Sequence, residues 1–264
     1  MSNLLEVRDL KVDFLLDGRA FRVVDGVGLD IREGESVILA GESGSGKTIT
    51  SLCFTKILPR GARIADGRIT FNGIDLLGLD ADALIGIRGK DIAYIFQEPV
   101  SYLNPVFSIG DQIAEAVILH QKKTKREAFA LAKELLMQVG INDPQRVLFD
   151  YPHQLSGGMN QRAFIAMALA SNPRLLIADE PTTSLDVTTE AMILDLLMRL
   201  KDKNKFSLLF ITHNLSIAKR IAERVYIMHK GRIVESGDTK EIFDSPRHAH
   251  TKELIRAYEK IGRI

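Results

Sequence analysis

Leu5 and Val7, then Leu10, Val12 and Phe14, alternate with polar neighbours, the period-two pattern of half-buried strands. Asp17-Gly18 reads as a turn, after which the extended pattern resumes from Val23 to Ile31. The run Ser36 to Ala40 predicts a buried strand feeding the glycine-rich stretch Gly41 to Gly46, with a helix from Thr48 that ends before Pro59. Asp66-Gly67 and Asn72-Gly73 bracket a short strand, Arg68 to Phe71, and predict tight turns. Another strand is predicted at Ile92 to Phe96. The period then changes. Ser108 can cap a helix through His120, and Thr124 with Glu127 forms a capping box. The helix that follows places Phe129, Ala132, Leu135, Leu136 and Val139 on one face, and Gly140 is its stop. Consecutive helices with no strand between them predict an inserted helical segment, roughly Val100 to Tyr151.

Beyond Ser156 the elements alternate again. A helix runs to about Ala170, Asn172-Pro173 breaks it, and Leu175 to Ala178 is a short apolar strand. A helix from Val187 to Lys201 leads into a strand, Ser207 to Ile211, then a helix near Leu215 to Ile221. Strands at Val225 to Met228 and Arg232 to Val234 meet across Lys230-Gly231, and a helical tail starts at Thr239. Strand-loop-helix alternation of this kind implies a mostly parallel sheet covered by helices.

Composition narrows the class. Of 264 residues, 45% are hydrophobic and 26% charged, which excludes a mainly disordered chain and a collagen. The net charge of +1 gives no global footprint for nucleic acid. Cys53 stands alone, so neither an intrachain disulfide nor a multi-cysteine cluster is available. Burial as a small packed residue is the simplest reading of Cys53. The longest apolar runs, such as Phe164 to Ala170, fall far short of a membrane span, and Glu6, Arg8 and Asp9 interrupt any signal peptide. A soluble, cytosolic type of protein is expected.

Candidate chemistry starts at Gly41-Glu42-Ser43-Gly44-Ser45-Gly46-Lys47-Thr48, a phosphate-binding loop pattern lying between a predicted strand and a predicted helix, the context the pattern requires. Its glycines let backbone N–H groups turn onto phosphate oxygens, Lys47 neutralises β- and γ-phosphates, and the Thr48 hydroxyl ligates Mg²⁺. A flexible turn is the plain alternative. Leu175 to Ala178 ends in Asp179-Glu180, two carboxylates at the strand end where open α/β sheets bind ligands. Asp179 suits Mg²⁺, and Glu180 suits a proton acceptor for water attacking the γ-phosphate. Leu155-Ser156-Gly157-Gly158-Met159 opens a long apolar helix; Ser156 is a good N-cap, and Gly157 and Gly158 leave N–H groups uncovered for an anion. A capped helix without a ligand is the alternative there.

These motifs, followed by Ser184-Leu185-Asp186 and by His213 after its strand, resemble in their order the nucleotide-binding subunit of an ABC transporter across essentially the whole chain. The resemblance implies an α/β P-loop NTPase of ABC type: a mostly parallel sheet core, an N-terminal antiparallel β-subdomain and an inserted helical subdomain. It divides the chain into 1–99 (β-subdomain and phosphate-loop core), 100–170 (helical subdomain with the signature), 171–238 (rest of the core) and a 239–264 helical tail. It implies ATP and Mg²⁺ as ligands. Phe14 then falls where the family stacks an aromatic ring on adenine, with a core position in an alternating strand as the lesser alternative. Gln97 matches the glutamine that reaches Mg²⁺ and the attacking water. His213 matches the histidine at the γ-phosphate. Asp186 matches the aspartate that communicates across a head-to-tail dimer, in which Ser156, Gly157 and Gly158 of one subunit cover the other's phosphate loop.

Gln97 to Pro105 and Leu155 to Arg162 further resemble the peptide and nickel importer ATPases. Met159 replaces a common Gln, Asn160 a common basic residue, and Ala249-His250 the more usual Pro-Tyr. The implied function is an ATP-hydrolysing, energy-coupling subunit of an importer for di- or oligopeptides or a related cargo such as nickel, peripheral on the cytoplasmic face of the inner membrane. Its implied partners are two transmembrane permease subunits, a second ATPase subunit (a paralogue in preference to a second copy) and, through the permeases, a substrate-binding protein; nucleic acid is not among them. The rival is a soluble ABC-type ATPase of DNA repair or translation, which usually carries two ATPase units or a long coiled-coil insertion.

Overall fold

The computed structural model describes residues 3–16, 18–183 and 185–261, so Asp17 of the first predicted turn and Ser184 lie outside the described residues. Strands β1 (Asn3–Leu16) and β2 (Arg19–Arg32) pair antiparallel, with Val7 opposite Leu29 and Phe14 opposite Phe21. β3 (Ser36–Ala40) is buried throughout and leads through the glycine loop into α1 (Lys47–Leu52). That helix is shorter than its sequence pattern predicts. A 3₁₀ turn, Cys53–Thr55, follows, and Lys56 takes a left-handed φ of 51°, which ends the helix before Pro59.

β4 (Ala62–Phe71) continues straight through Asp66-Gly67, where a turn is predicted. The ladder to β1 shifts register between Arg8 and Lys11, where β1 carries an extra residue, and back between Lys11 and Val12, where β4 does, so the chain passes through without reversing. Asn72-Gly73 does reverse the chain, into β5 (Ile74–Asp75), with φ of 48° and 83° at the two central residues as a tight hairpin turn needs. α2 (Ala81–Ile85) and β6 (Ile92–Ile95) follow.

The next elements are all helical: α3 (Pro99–Tyr102), α4 (Ile109–Gln121), α5 (Lys125–Gln138), α6 (Pro144–Val147) and α7 (Gly157–Leu169). Ser108 caps α4 by accepting from the Asp111 N–H, and Thr124 with Glu127 forms the capping box of α5. Then come β7 (Leu175–Asp179), α8 (Val187–Asn204), β8 (Ser207–Thr212), α9 (Ala218–Ile221), β9 (Arg224–His229), β10 (Arg232–Asp238), α10 (Thr239–Asp244) and α11 (Ala249–Ile261).

The chain forms two compact units. One holds the residues up to Leu84 and those from Ser207 onward; the other holds Ile85–Phe206. In the first, β2-β1-β4-β5 make an antiparallel sheet, while β3 lies parallel to both β8 and β9, with β10 antiparallel at the edge. In the second, β6 runs parallel to β7, and α3 to α7 fill the stretch between them in sequence. The α/β class, the N-terminal antiparallel sheet and the inserted helices are therefore present as the sequence implies.

A charged knot ties the two sheets of the first unit. The Arg224 guanidinium of β9 reaches both carboxylate oxygens of Asp30 on β2 at 2.9 and 3.1 Å, with Glu35 at 3.4 Å. Arg224, aided by the Tyr226 hydroxyl, holds the Asp30 carboxyl below the usual carboxylate range. Stability from this pair is therefore present above the unfolded aspartate value of about 3.9 and lost as pH falls through the lower folded value. Asp30→Asn is expected to cost about 1 kcal/mol at pH 7, and the difference from the natural chain should shrink as urea melts are repeated at progressively lower pH. A constant difference across that series would remove Asp30 titration from acid unfolding.

Cys53 is fully buried in the turn that follows α1, and burial pushes its thiol up to about 12. The folded chain is expected to resist thiol reagents at pH 8 and to react once unfolded in urea.

Candidate active site

In the first unit, β3 and β8 run side by side with Ala40 opposite Thr212, and the Gly41 N–H donates to the Thr212 carbonyl at 3.3 Å. Gly41 and His213 thus leave the same end of adjacent parallel strands, the end at which such sheets bind ligands. His213 is exposed there. The loop is held from behind: the Gly231 N–H donates to the Ser45 carbonyl at 2.9 Å, and the Ser45 N–H to the Glu42 carbonyl at 3.2 Å. Gly41 has no room for a side chain, since a Cβ would lie 2.1 Å from the Met228 carbonyl oxygen. Gly44, at φ 78°, faces open space instead.

The Lys47 side chain is buried and folds back, its ammonium donating to the carbonyls of Gly41 at 2.8 Å and Glu42 at 2.9 Å. Ser43 and Thr48 are exposed, and Gly46 is the N-cap of α1, a helix whose first turn carries no acidic residue. The Ser45 hydroxyl is buried with no hydrogen-bond partner. An ammonium, an unused hydroxyl and an open glycine position on a fixed loop fit the phosphates of a nucleotide. Phe14 sits in β1 between Phe21 and Ala62, half-buried, with its ring edge near Gly61.

The second unit carries the other predicted groups. Ile95 of β6 pairs with Ala178 of β7, so Gln97, exposed, and Asp179, buried, emerge from the same end of two parallel strands. Glu180 adopts a φ of 45°, which costs a non-glycine residue about 1–2 kcal/mol and marks a constrained position. Its carboxylate accepts from the Thr183 hydroxyl at 3.0 Å. Just before Gln97, the Phe96 ring stacks on Tyr102 of α3 with centroids 4.3 Å apart, and both rings lie against Phe164 of α7. Sequence reasoning misses this stack, because no short-range period marks rings that meet across three elements.

Ser156 caps α7 by accepting from the Met159 N–H at 3.3 Å, and Gly157 faces open space. The Asn160 amide is buried and donates to the Pro152 carbonyl at 2.9 Å, pinning the preceding turn to α7. Asp186 caps α8, accepting from the Thr189 N–H at 3.0 Å and its hydroxyl at 2.7 Å; these bonds hold its carboxyl below the usual range. A Cβ on Gly158 would lie 3.7 Å from the Thr189 methyl, so the caps of α7 and α8 are neighbours.

The phosphate loop lies at one strand end, the carboxylates and the glutamine at others, and a glycine-led cap opens α7. The ABC transporter profile matches residues 24–183. The chain belongs to the ABC transporter family. It is 51% identical over 258 residues to the peptidoglycan transport ATP-binding protein YejF of Agrobacterium fabrum, covering 97% of this chain and 47% of that one. It is 44% identical over 262 residues to the dipeptide transport ATP-binding protein DppD of Bacillus subtilis, covering 99% of this chain and 78% of that one. Among solved structures, a dimeric ATP-binding cassette in a post-hydrolysis state with ADP and Pi superposes with a TM-score of 0.78 at 28% identity, covering 89% of this chain and 98% of that one. As an ABC ATPase the chain binds nucleotide, and the resemblance to peptide-importer ATPases holds across its length. Among the described residues, no helix is long and apolar enough to cross a membrane.

Proposed function

We propose that this ABC ATPase is the energy-coupling subunit of an importer for di- or oligopeptides or a related cargo such as nickel, working peripherally on the cytoplasmic face of the inner membrane. The likeness to dipeptide transport ATP-binding proteins over nearly the whole chain carries this reading. Those relatives do not favour a soluble ATPase of DNA repair or translation.

In the proposed reaction, loop N–H groups from Gly41 to Thr48 bind the ATP phosphates, and Lys47 exchanges its two loop carbonyls for β- and γ-phosphate oxygens. The Thr48 hydroxyl, the Asp179 carboxylate and the Gln97 amide oxygen are hard oxygen donors of the kind Mg²⁺ takes. When bound, that ion neutralises phosphate charge. Gln97 orients the attacking water, Glu180 accepts its proton, and His213 contacts the γ-phosphate. Phe14 stacks on adenine. Ser156, Gly157 and Gly158 offer their N–H groups to nucleotide held by a second ATPase subunit, for which a paralogue is favoured, and Asp186 takes part in that dimer.

Two permease subunits are the membrane partners, and through them a separate substrate-binding protein. The helical segment offers them apolar surface: Val106 is 71% exposed, and Phe149, 63% exposed, lines a cleft with Ser108, Asp111, Lys125 and Phe129. The test is to tag the chain at its N-terminus, extract native membranes in mild detergent and identify what co-purifies. Two polytopic membrane proteins and a second ATPase are expected. An ATP-stable assembly without membrane proteins would overturn the importer while leaving the ATPase standing.

A further inference from the structure

Outside the groups assigned above, Glu42, His229 and His250 converge. Glu42 is the second residue of the phosphate loop, His229 ends β9, and His250 lies in the first turn of α11. One ligand atom from each falls within 4.8 Å of the other two, and His229 Nδ1 stands 3.9 Å from the Glu42 carboxylate. The two imidazole rings are 3.9 Å apart between centroids, tilted by 36°.

An independent observation points to a missing ligand. His250 is only 6% exposed, and its Nε2 is buried with no hydrogen-bond partner. A buried ring nitrogen left without a bond is costly, and a metal ion is one of the few species that satisfies it without a further donor.

We propose that Glu42, His229 and His250 form a binding site for a borderline divalent cation of the zinc class. Two imidazoles and one carboxylate are a known three-residue donor set for such an ion, with a fourth position left to water, whereas Mg²⁺ and Ca²⁺ take oxygen donors. A tetrahedral site with bonds of about 2.0–2.1 Å has ligand atoms roughly 3.3 Å apart. Closing the present separations to that value takes about 1 Å of side-chain movement, within reach of the exposed Glu42 and the half-buried His229. Occupancy ties α11 and the end of β9 to Glu42, whose carbonyl accepts from Lys47, and so holds the phosphate loop in the arrangement described above.

The test is direct titration of the nucleotide-free full chain with Zn²⁺ against a chromophoric chelator, alongside thermal melts. The natural chain is expected to bind one Zn²⁺ with micromolar or tighter affinity and to melt at a higher temperature when loaded. His250→Gln and His229→Gln are each expected to weaken binding by at least about 10–100-fold, the loss already seen when an outer-shell partner of a metal site is removed. His229 is partly exposed, so its variant keeps the fold and secures the result if His250→Gln unfolds. Failure of the natural chain to bind, or equal binding by the natural chain and His229→Gln, overturns the site.

Discussion

Glu180→Gln is expected to bind ATP as the natural chain does and to hydrolyse it about 10²–10⁴-fold more slowly in the complete assembly, the usual scale for a lost general base. The substitution is nearly isosteric. It retains an oxygen to accept from the Thr183 hydroxyl and keeps the backbone at its φ of 45°, so folding should change little. What disappears is the capacity to take a proton from the attacking water. Equal turnover in the two proteins, measured with partners present, would remove Glu180 from that role and leave a phosphate oxygen as the acceptor.

The second large effect separates stability from binding within one loop. Gly41→Ala forces a Cβ to within 2.1 Å of the Met228 carbonyl oxygen, a backbone atom that cannot rotate away. The expected cost is about 3 kcal/mol or more, a fall of roughly 6–12 °C in Tm for a chain of this size. Gly44→Ala meets no neighbour within 4 Å and suffers only its left-handed φ of 78°, about 1–2 kcal/mol. The new methyl instead occupies the open side of the loop. ATP affinity should fall by about 10–100-fold, the scale of one lost hydrogen bond to a charged group at about 1.5–3 kcal/mol. Thermal melts and nucleotide titrations on both variants check this. If Gly41→Ala melts normally, or Gly44→Ala binds ATP normally, the loop is not held and used in the manner described.

Features written in local sequence were legible before the fold was known. Ser36 to Ala40 is a strand with the predicted bounds, because a short apolar run against a glycine loop has few other solutions. The Thr124–Glu127 box and the Ser156 cap likewise need only residues three apart. Where local signals compete with pairing, the local signal loses. Asp66-Gly67 carries turn chemistry, yet β1 supplies a ladder along the whole of β4 and the dipeptide stays within the strand, between two compensating shifts of register.

The chemistry divides in the same way. Lys47, Asp179 and Glu180 announce themselves through motif and strand end. The Phe96–Tyr102–Phe164 stack and the Glu42–His229–His250 cluster join residues far apart in the chain, and no periodicity reports them. Asn160, to which the motif reading gives no role, proves to be a buried amide that fixes the turn ahead of the glycines.

The measurement that bears most directly on the proposed role is ATP turnover by the complete complex in proteoliposomes, with and without peptide-loaded binding protein on the opposite face. Turnover that rises with peptide, and that falls with Glu180→Gln alongside peptide uptake, is the predicted result. Hydrolysis indifferent to peptide and to the permeases would contradict an importer's energy-coupling subunit.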